Sequence, residues 1–123
     1  MADRFRVENT TRGTLLAERA EAATRLGERM RGLLGRDGLA EGEGLWIEPC
    51  NSVHMWFMRF PIDVVFAARD GRVVAVVPEL RPWLMTRPWF GASVALELPV
   101  GVIARSGTVP GDTLVRRPEV PCA

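Results

Sequence analysis

Short runs that mix apolar and polar positions open the chain and predict strands. In residues 5–9, phenylalanine and valine alternate with charged side chains, and residues 14–19 form a second short run. The segment between the two runs ends on Gly13, and glycine suits a tight turn. The pattern therefore predicts that the chain begins with an antiparallel hairpin.

The apolar period then changes from that of a strand to that of a helix, over residues 20–36. The apolar side chains of one helical face, spaced at i, i+4, i+7 and i+8, are Leu26, Met30, Leu33 and Leu34. Thr24 is a suitable N-cap residue for this helix. Because glycine commonly follows the last turn, Gly35 is expected to end it.

Six further segments rich in valine, isoleucine, phenylalanine or tryptophan predict short strands. They are residues 45–48, 52–58, 62–67, 73–77, 94–98 and 113–115. Asp70-Gly71 lies between two of them and is a strong hairpin signal. One helix and about eight strands, without alternating helix and strand units, predict a mainly β, α+β fold. We expect a small antiparallel barrel or a jelly-roll-like sandwich with the helix packed on one side, and a single domain over residues 1–123.

Charge and composition narrow the function classes. The 16 basic and 15 acidic side chains give a formal net charge of +1, and the two signs alternate along the chain, so nucleic acid is not an expected partner. All basic residues are arginine and tyrosine is absent, which excludes lysine-based covalent catalysis and a tyrosine general acid. No long apolar run occurs, and the first residues lack an apolar signal core. We therefore expect a cytoplasmic protein without a membrane partner, or a secreted or periplasmic one if a signal peptide has been removed.

The two cysteines, Cys50 and Cys122, are far apart in the sequence and form no metal-ligand spacing. Free thiols are expected, and a disulfide between them is the alternative, which requires an oxidising compartment. A metal site needs three or four convergent ligands, and His54 is the only histidine. The sequence therefore predicts no metal and no cofactor.

Candidate chemistry is concentrated in residues 50–66, where the histidine and one acid lie among apolar and aromatic side chains. Histidine is a common general base, and Asp63 could orient the ring of His54 as in nucleophilic triads. The alternative is a hydrogen-bonded, half-buried histidine without a catalytic role. A pair of Cys50 and His54 also stays open, provided that a turn brings the two side chains together.

Two acids, Asp63 and Glu97, lie among apolar neighbours in predicted strands. A buried carboxylate requires an arginine or several N–H donors. We expect an arginine of the predicted helix to pair with these acids and to fix the helix against the sheet; the candidates are Arg29, Arg31 and Arg36. The alternative is a ligand pocket that uses the same charges.

A proline-interrupted stretch contains the same tripeptide twice, as Arg81-Pro82-Trp83 and Arg87-Pro88-Trp89. Proline excludes a central strand here, so the stretch is predicted to be a loop that carries two indole rings. Indole faces together with guanidinium groups can stack on ligand rings or on an extended peptide. The rings could equally fold back and cover the core.

Five motifs occur in order along residues 14–114. They are Arg29-x-x-Gly32-Leu33-Leu34-x-Arg36, Gly44-Leu45-Trp46-Ile47, Pro61-Ile62-Asp63-Val64-Val65-Phe66, Leu96-Glu97-Leu98-Pro99-Val100-Gly101 and Gly111-Asp112. Together they resemble the DUF192 family of small, mainly bacterial and archaeal proteins whose biochemical role is not established. The resemblance implies a mainly β fold of jelly-roll type, and it supplies no mechanism.

One segment departs from the family's pattern. Many members carry Phe-Trp-Met-Lys-Asn-Thr where this chain has Val53-His54-Met55-Trp56-Phe57-Met58. His54 therefore takes the tryptophan position, and the lysine, asparagine and threonine are missing. If that polar trio binds a ligand, its replacement makes the site less polar.

We therefore expect a non-enzymatic β domain that binds a small molecule, a peptide or a partner chain, as a monomer or weak homodimer. The expected ligand-binding residues are His54, Trp56, Asp63, Trp83, Trp89, Glu97 and Arg36. The first alternative is a hydrolase-type enzyme that uses His54 with the carboxylate of Asp63. The second is a structural or interaction protein without a small-molecule site.

Overall fold

The structure of the protein, a computed structural model, describes residues 4–119. These residues form seven strands and two short helices. In chain order they are β1 (Arg4–Asn9), β2 (Thr14–Ala23), α1 (Leu26–Arg31), β3 (Glu43–Ile47), β4 (Ile62–Ala67), β5 (Val73–Leu80), β6 (Val94–Leu98), α2 (Val102–Ser106) and β7 (Leu114–Pro118). The predicted mainly β, α+β fold is confirmed. Neither helix is long and apolar enough to cross a membrane.

All seven strands belong to one sheet, in the order β5-β4-β6-β3-β2-β1-β7. Every neighbouring pair is antiparallel except β2 and β3, which run parallel. A parallel pair requires a crossover connection, and here the chain between the two strands carries α1. The sheet is therefore mixed and unclosed, where the sequence predicts an antiparallel barrel or sandwich.

The two edge strands of the sheet nevertheless meet at one point, which we call the seam. An isolated antiparallel bridge joins Arg72 to Thr113, and the N–H of Leu114 donates to the carbonyl oxygen of Gly71 over 2.8 Å. Gly71 has a φ of 95°, and a Cβ at this position would overlap the carbonyl oxygen of Leu114. Glycine is required here because only glycine combines that φ with so close an approach of the two chains.

Two apolar cores lie on opposite sides of the sheet. Successive side chains of a strand point to opposite faces, and the fully buried residues of β4 divide in this way. Ile62, Val64 and Phe66 belong to one core, and Val65 and Ala67 belong to the other. The Val65 side also packs on α2, while the Val64 side is covered by the segments that follow α1 and precede β4.

The predicted helix over residues 20–36 is wrong in its length and in its cap. Residues 19–23 pair with 43–47 of β3 and extend β2, so this alanine-rich stretch is strand. The helix begins after Arg25, and the carboxylate of Glu28 accepts hydrogen bonds from the backbone N–H groups of Thr24 and Arg25. Thr24 is therefore not the N-cap residue. The apolar helical face is also half exposed, because Leu33 is buried whereas Leu26 and Met30 are 65% and 71% exposed.

Two further differences concern the part of the chain that follows β3. Residues 52–58 do not form the predicted strand: only His54 makes a bridge, to Met85, and a turn follows at Trp56 and Phe57. Helix α2 is not predicted by the sequence, because its five residues are too few to show a helical period. Gly101 and Gly107 flank it, both in the left-handed conformation.

Candidate ligand-binding cavity

The buried acid Asp63 is held by backbone donors of two different elements. Its Oδ1 accepts a hydrogen bond from the N–H of Glu79 over 2.9 Å, and its Oδ2 accepts from Gly101 over 3.1 Å and from Ile103 over 2.9 Å. Asp63 thereby caps the start of α2 and fastens it to β4 and β5, where it is 1% exposed. The prediction that a helix arginine pairs with Asp63 is wrong, because three backbone N–H groups already satisfy the carboxylate.

A second acid, Asp112, is also fully engaged in the structure. Its Oδ2 accepts hydrogen bonds from Asn9 Nδ2 over 2.9 Å, from Arg12 Nε over 2.7 Å and from the N–H of Val109 over 3.1 Å. The hydrogen bond from Asn9 is the main reason why the pKa of Asp112 lies below its ordinary value, and the Arg12 guanidinium lowers it further. Asp112 therefore ties the first hairpin to the segment that leads into β7.

Glu97 has no comparable partners. It lies between Leu45 of β3 and Val64 of β4, and it is 6% exposed. No hydrogen bond or ion pair reaches its carboxyl group from within residues 4–119. Burial alone raises its pKa from 4.5 to about 7. The arginine partner predicted for Glu97 is thus not formed, and Arg36 instead pairs with Glu43 over 3.4 Å on the surface.

A cavity of about 280 Å³ lies between α1 and the segment that precedes β4. Its apolar wall includes Leu26, Met30, Leu33, Ile47, Val53 and Met58. Its polar wall is contributed by Arg29, Arg31, Cys50, Ser52 and His54. Small-molecule sites are concave, mostly apolar and supplied with a few polar groups, and this volume is close to their lower limit of about 300 Å³.

Arg29 brings a positive charge to the cavity wall. Its Nη1 donates to the carbonyl oxygen of Pro49 over 3.1 Å, and its Nε is buried without a hydrogen-bond partner. Among the described acids none forms an ion pair with Arg29. The guanidinium group therefore retains hydrogen-bonding capacity, and its charge is not neutralised by the protein at this point.

Cys50 contributes a free thiol that donates to the carbonyl oxygen of Ser52 over 3.1 Å. Burial raises the pKa of this thiol, the negative charge of Glu97 raises it further, and the charge of Arg29 opposes the shift. Glu97 is therefore within electrostatic reach of Cys50. The predicted alternative partner of Cys50, Cys122, lies outside the described residues.

His54 and Asp63, the weak catalytic candidates, are not brought together. His54 is exposed and lines the cavity, with its ring 5.0 Å from that of Trp56. Asp63 lies on β4, and both of its carboxylate oxygens accept hydrogen bonds from backbone N–H groups. The pair expected from the sequence has no contact through which Asp63 could orient the imidazole ring.

The two indole rings of the twin Arg-Pro-Trp loop have opposite environments. Trp89 packs against the core on the Val64 side, and Arg87 lies 4.7 Å above its ring. Trp83 is 61% exposed and does not line the cavity. Trp89 therefore covers the core, as one reading of the sequence predicts, whereas Trp83 faces solvent.

Of the predicted ligand-binding residues, only His54 lines the cavity, and most of the wall was not predicted. Leu26 and Met30 share a predicted helical face with Leu33, a spacing that is also typical of core residues. Arg29 is one of three arginines expected to be candidates for an ion pair with a buried acid. The sequence does contain part of the information, since Cys50 and His54 follow this helical face. The crossover that brings them near the helix, however, depends on the parallel pairing of β2 with β3.

The mixed sheet, its two short helices and the open cavity beneath α1 define a small, mainly β protein with a candidate binding site. The sequence model of the DUF192 family, described as "Uncharacterized ACR", matches residues 7–116. The chain therefore belongs to the DUF192 family, and the resemblance found in the sequence is confirmed.

Relatives and solved structures agree with this assignment. A UPF0127 protein of Thermococcus sibiricus is 32% identical over 111 residues, which cover 86% of this chain and 71% of that protein. A crystal structure of a protein of unknown function from Novosphingobium aromaticivorans superposes with a TM-score of 0.77 at 25% identity, covering 91% of this chain and 83% of the other. A crystal structure from Sinorhizobium meliloti, described as "a putative transcription regulator", gives the same TM-score and identity and covers 94% of both chains.

Proposed function

We propose that this protein binds a small, mainly apolar molecule in the cavity beneath α1 and releases it unchanged. The observation that carries the proposal is the combination of an apolar wall with Arg29, whose Nε is buried without a hydrogen-bond partner. Neither Arg29 nor Arg31, which also lines the cavity, forms an ion pair with any described acid. Leu26 and Met30 leave apolar surface in water at the same site, and a ligand that covered it would gain burial energy. The ligand is expected to carry one anionic or hydrogen-bond-accepting group for the guanidinium of Arg29.

Binding is favoured over turnover because the cavity lacks an activated group. A thiolate is the reactive form of cysteine, and a raised pKa keeps Cys50 protonated near neutral pH. His54 has no carboxylate to orient it, since Asp63 is occupied elsewhere. A hydrolase that uses His54 with Asp63 therefore has no support in the geometry.

The description of the Sinorhizobium meliloti relative raises DNA binding as another function. Recognition by a helix requires one that can lie in the major groove. Residues 4–119 form two helices, of six and five residues. The chain also has a net charge of only +1. These features favour the cavity over a nucleic-acid surface.

The test is a screen of small carboxylic acids and amides with apolar bodies, read as the shift in melting temperature. Ser52→Phe is the first variant, because Ser52 lines the cavity, is exposed, and its larger replacement fills the space. Arg29→Met is the second, and it removes the guanidinium donor while keeping an unbranched side chain similar to the aliphatic part of arginine. Arg69→Met is the matched control, since Arg69 is an exposed arginine on the β4–β5 turn, outside the cavity.

Ligands that stabilise the natural protein and the Arg69→Met variant should fail to stabilise Ser52→Phe. Those with an anionic group should bind Arg29→Met at least about tenfold more weakly, the usual scale for one lost charge-assisted hydrogen bond. Equal binding by Ser52→Phe would place the ligand elsewhere and refute the proposal. A cytoplasmic location stays a prediction.

A further inference from the structure

Five large apolar side chains protrude from two neighbouring loops and form a surface that we call the aromatic ridge. They are Trp56, Phe57, Trp83, Leu84 and Met85, and their exposed fractions are 48%, 72%, 61%, 52% and 62%. Contiguous exposed apolar groups mark interaction sites on protein surfaces. None of the five lines the cavity beneath α1. The ridge adjoins it through His54, which lines the cavity, lies beside Trp56 and bridges to Met85.

The loops that carry the ridge are fastened to each other by their backbones. The N–H of Met55 donates to the carbonyl oxygen of Leu84 over 2.7 Å, that of Trp83 donates to Met55 over 2.8 Å, and that of Thr86 donates to Val53 over 2.8 Å. The side chains of Val53, Met55 and Thr86 are buried beneath. The loops beneath the exposed rings are therefore already ordered, so binding to a partner would not carry the entropic cost of ordering them.

Backbone strain is concentrated at the top of the ridge. Phe57 and Trp83 have φ angles of 65° and 70°, in the left-handed region that bulky residues rarely adopt. Their rings pack edge to face, with the centroids 4.9 Å apart. Strain of this kind clusters at functional positions, and here it occurs at two residues whose rings are exposed.

The two sequence segments that contain the ridge carry positively charged side chains and no negatively charged ones. Residues 50–62 and 80–96, which contain both loops, include no aspartate or glutamate. They contain three arginines, Arg59, Arg81 and Arg87. The two loops thus combine protruding apolar side chains with positive charge.

Neighbouring acids only partly offset this charge. Arg59 pairs with Asp37 over 2.8 Å, and Arg81 approaches Glu79 at 3.8 Å, but all four side chains are more than half exposed. Such pairs are weak in water and exchange readily. Arg87 forms no ion pair with any residue that the structure describes.

We propose that the aromatic ridge inserts into the surface of a phospholipid bilayer that carries anionic headgroups. Tryptophan and phenylalanine side chains enter the boundary between headgroups and acyl chains, while arginines bind the phosphates. A fluid lipid surface can rearrange around a ridge that protrudes into it. The expectation that the protein has no membrane partner came from the lack of a spanning run, and shallow insertion needs none.

The experiment is co-sedimentation of the protein with phosphatidylcholine vesicles that contain about 30 mol% phosphatidylglycerol, with pure phosphatidylcholine vesicles in parallel. The natural protein should bind the anionic vesicles and lose affinity as salt is added. The Phe57→Ser/Trp83→Ser double variant removes the top of the ridge, and Arg81→Gln/Arg87→Gln removes two charges. Each should weaken binding at least about tenfold. Val100→Ser/Val109→Ser is the matched control, because these exposed valines lie outside the ridge.

Circular dichroism and melting temperature establish that each variant is folded, and Trp83→Phe, which keeps an aromatic ring, should retain binding. Quenching of tryptophan fluorescence by brominated lipid should be strong for the natural protein and weak for the Phe57→Ser/Trp83→Ser variant. Failure to bind either kind of vesicle would overturn the proposal. So would unchanged binding by the ridge variant, or a concentration-dependent dimer that this variant abolishes, since a second copy of the chain would then cover the ridge.

Discussion

The carboxyl group of Glu97 lies close enough to the thiol of Cys50 for its charge to raise the pKa of that thiol. Burial acts on both groups in the same direction, and it alone raises the pKa of Glu97 to about 7. Three acids of the family motifs, Asp63, Asp112 and Glu97, are buried. The first two accept several hydrogen bonds each, whereas the carboxyl group of Glu97 accepts none from the described residues.

Glu97 should make the protein less stable as the pH rises. Below pH 4.5 the group is protonated whether the chain is folded or unfolded. Between 4.5 and about 7 the folded state keeps a proton that the unfolded state has lost, so stability falls with pH over that window. The difference corresponds to roughly 3 kcal/mol at most.

Glu97→Gln should abolish this loss, because the amide does not titrate. Urea unfolding at about pH 5 and about pH 8 measures it, and the variant should exceed the natural protein in stability only at the higher pH. Glu41→Gln, which changes an exposed acid, serves as the control. Parallel pH profiles for the natural protein and Glu97→Gln would show that Glu97 titrates normally.

Cys50 should react slowly with alkylating reagents. In a Cys122→Ser background, the rate of reaction with iodoacetamide should rise with pH to a midpoint above the ordinary thiol value of 9.0, because burial disfavours the thiolate. Adding Glu97→Gln should lower that midpoint by removing a neighbouring negative charge. Adding Arg29→Met should raise it by removing a positive one. Midpoints that do not move in these opposite directions would contradict the electrostatic account.

Asp63 should contribute strongly to the stability of the folded state. Asp63→Ala leaves three backbone N–H groups without an acceptor, and it should lower the free energy of unfolding by about 2–4 kcal/mol. Asp63→Asn retains one acceptor oxygen and should cost less. Chemical denaturation gives both values, and amide exchange at Ile103 should accelerate. Asp70→Ala, which removes an exposed acceptor from a turn, should cost under about 1 kcal/mol.

Asp112 should keep its charge to unusually low pH. Its lowered pKa stabilises the folded state above the ordinary value of 3.8, and this contribution is lost as the pH falls through the folded-state pKa. Arg12→Gln should shift the carboxyl titration of Asp112 upward in a ¹³C NMR experiment. Arg117→Gln, which breaks a surface pair with Glu8, should leave it in place. If the titration of Asp112 is unchanged in Arg12→Gln, the lowered pKa of Asp112 is due entirely to its remaining donors.

Local signals were sufficient to predict much of the sheet. The Gly13 turn and the Asp70-Gly71 turn both join antiparallel neighbours, as expected. The assignment of residues 20–23 to a helix failed because alanine favours helices locally, whereas here its partner is a parallel strand more than twenty residues away. Such long-range pairing leaves no periodic trace in either segment.

The candidate site could be predicted only in part, for a related reason. His54 was identified because a lone histidine among aromatic residues is conspicuous. Asp63 was conspicuous too, but its partners are backbone groups, and no side-chain pattern predicts them. Leu26 and Met30 have the spacing of core residues, and the sequence carries no mark that distinguishes a wall of a cavity from a filled core.

The contact of Gly71 with Leu114 at the seam also bears on how this chain behaves in concentrated solution. Edge strands offer free N–H and C=O groups on which another molecule can add a strand. At the seam the ends of the two edge strands bond to each other, so fewer of their backbone groups remain available for such addition. Any side chain at position 71 would push β7 away and leave a longer stretch of each edge available. The absence of a Cβ at position 71 is therefore expected to limit self-association through the edges of the sheet.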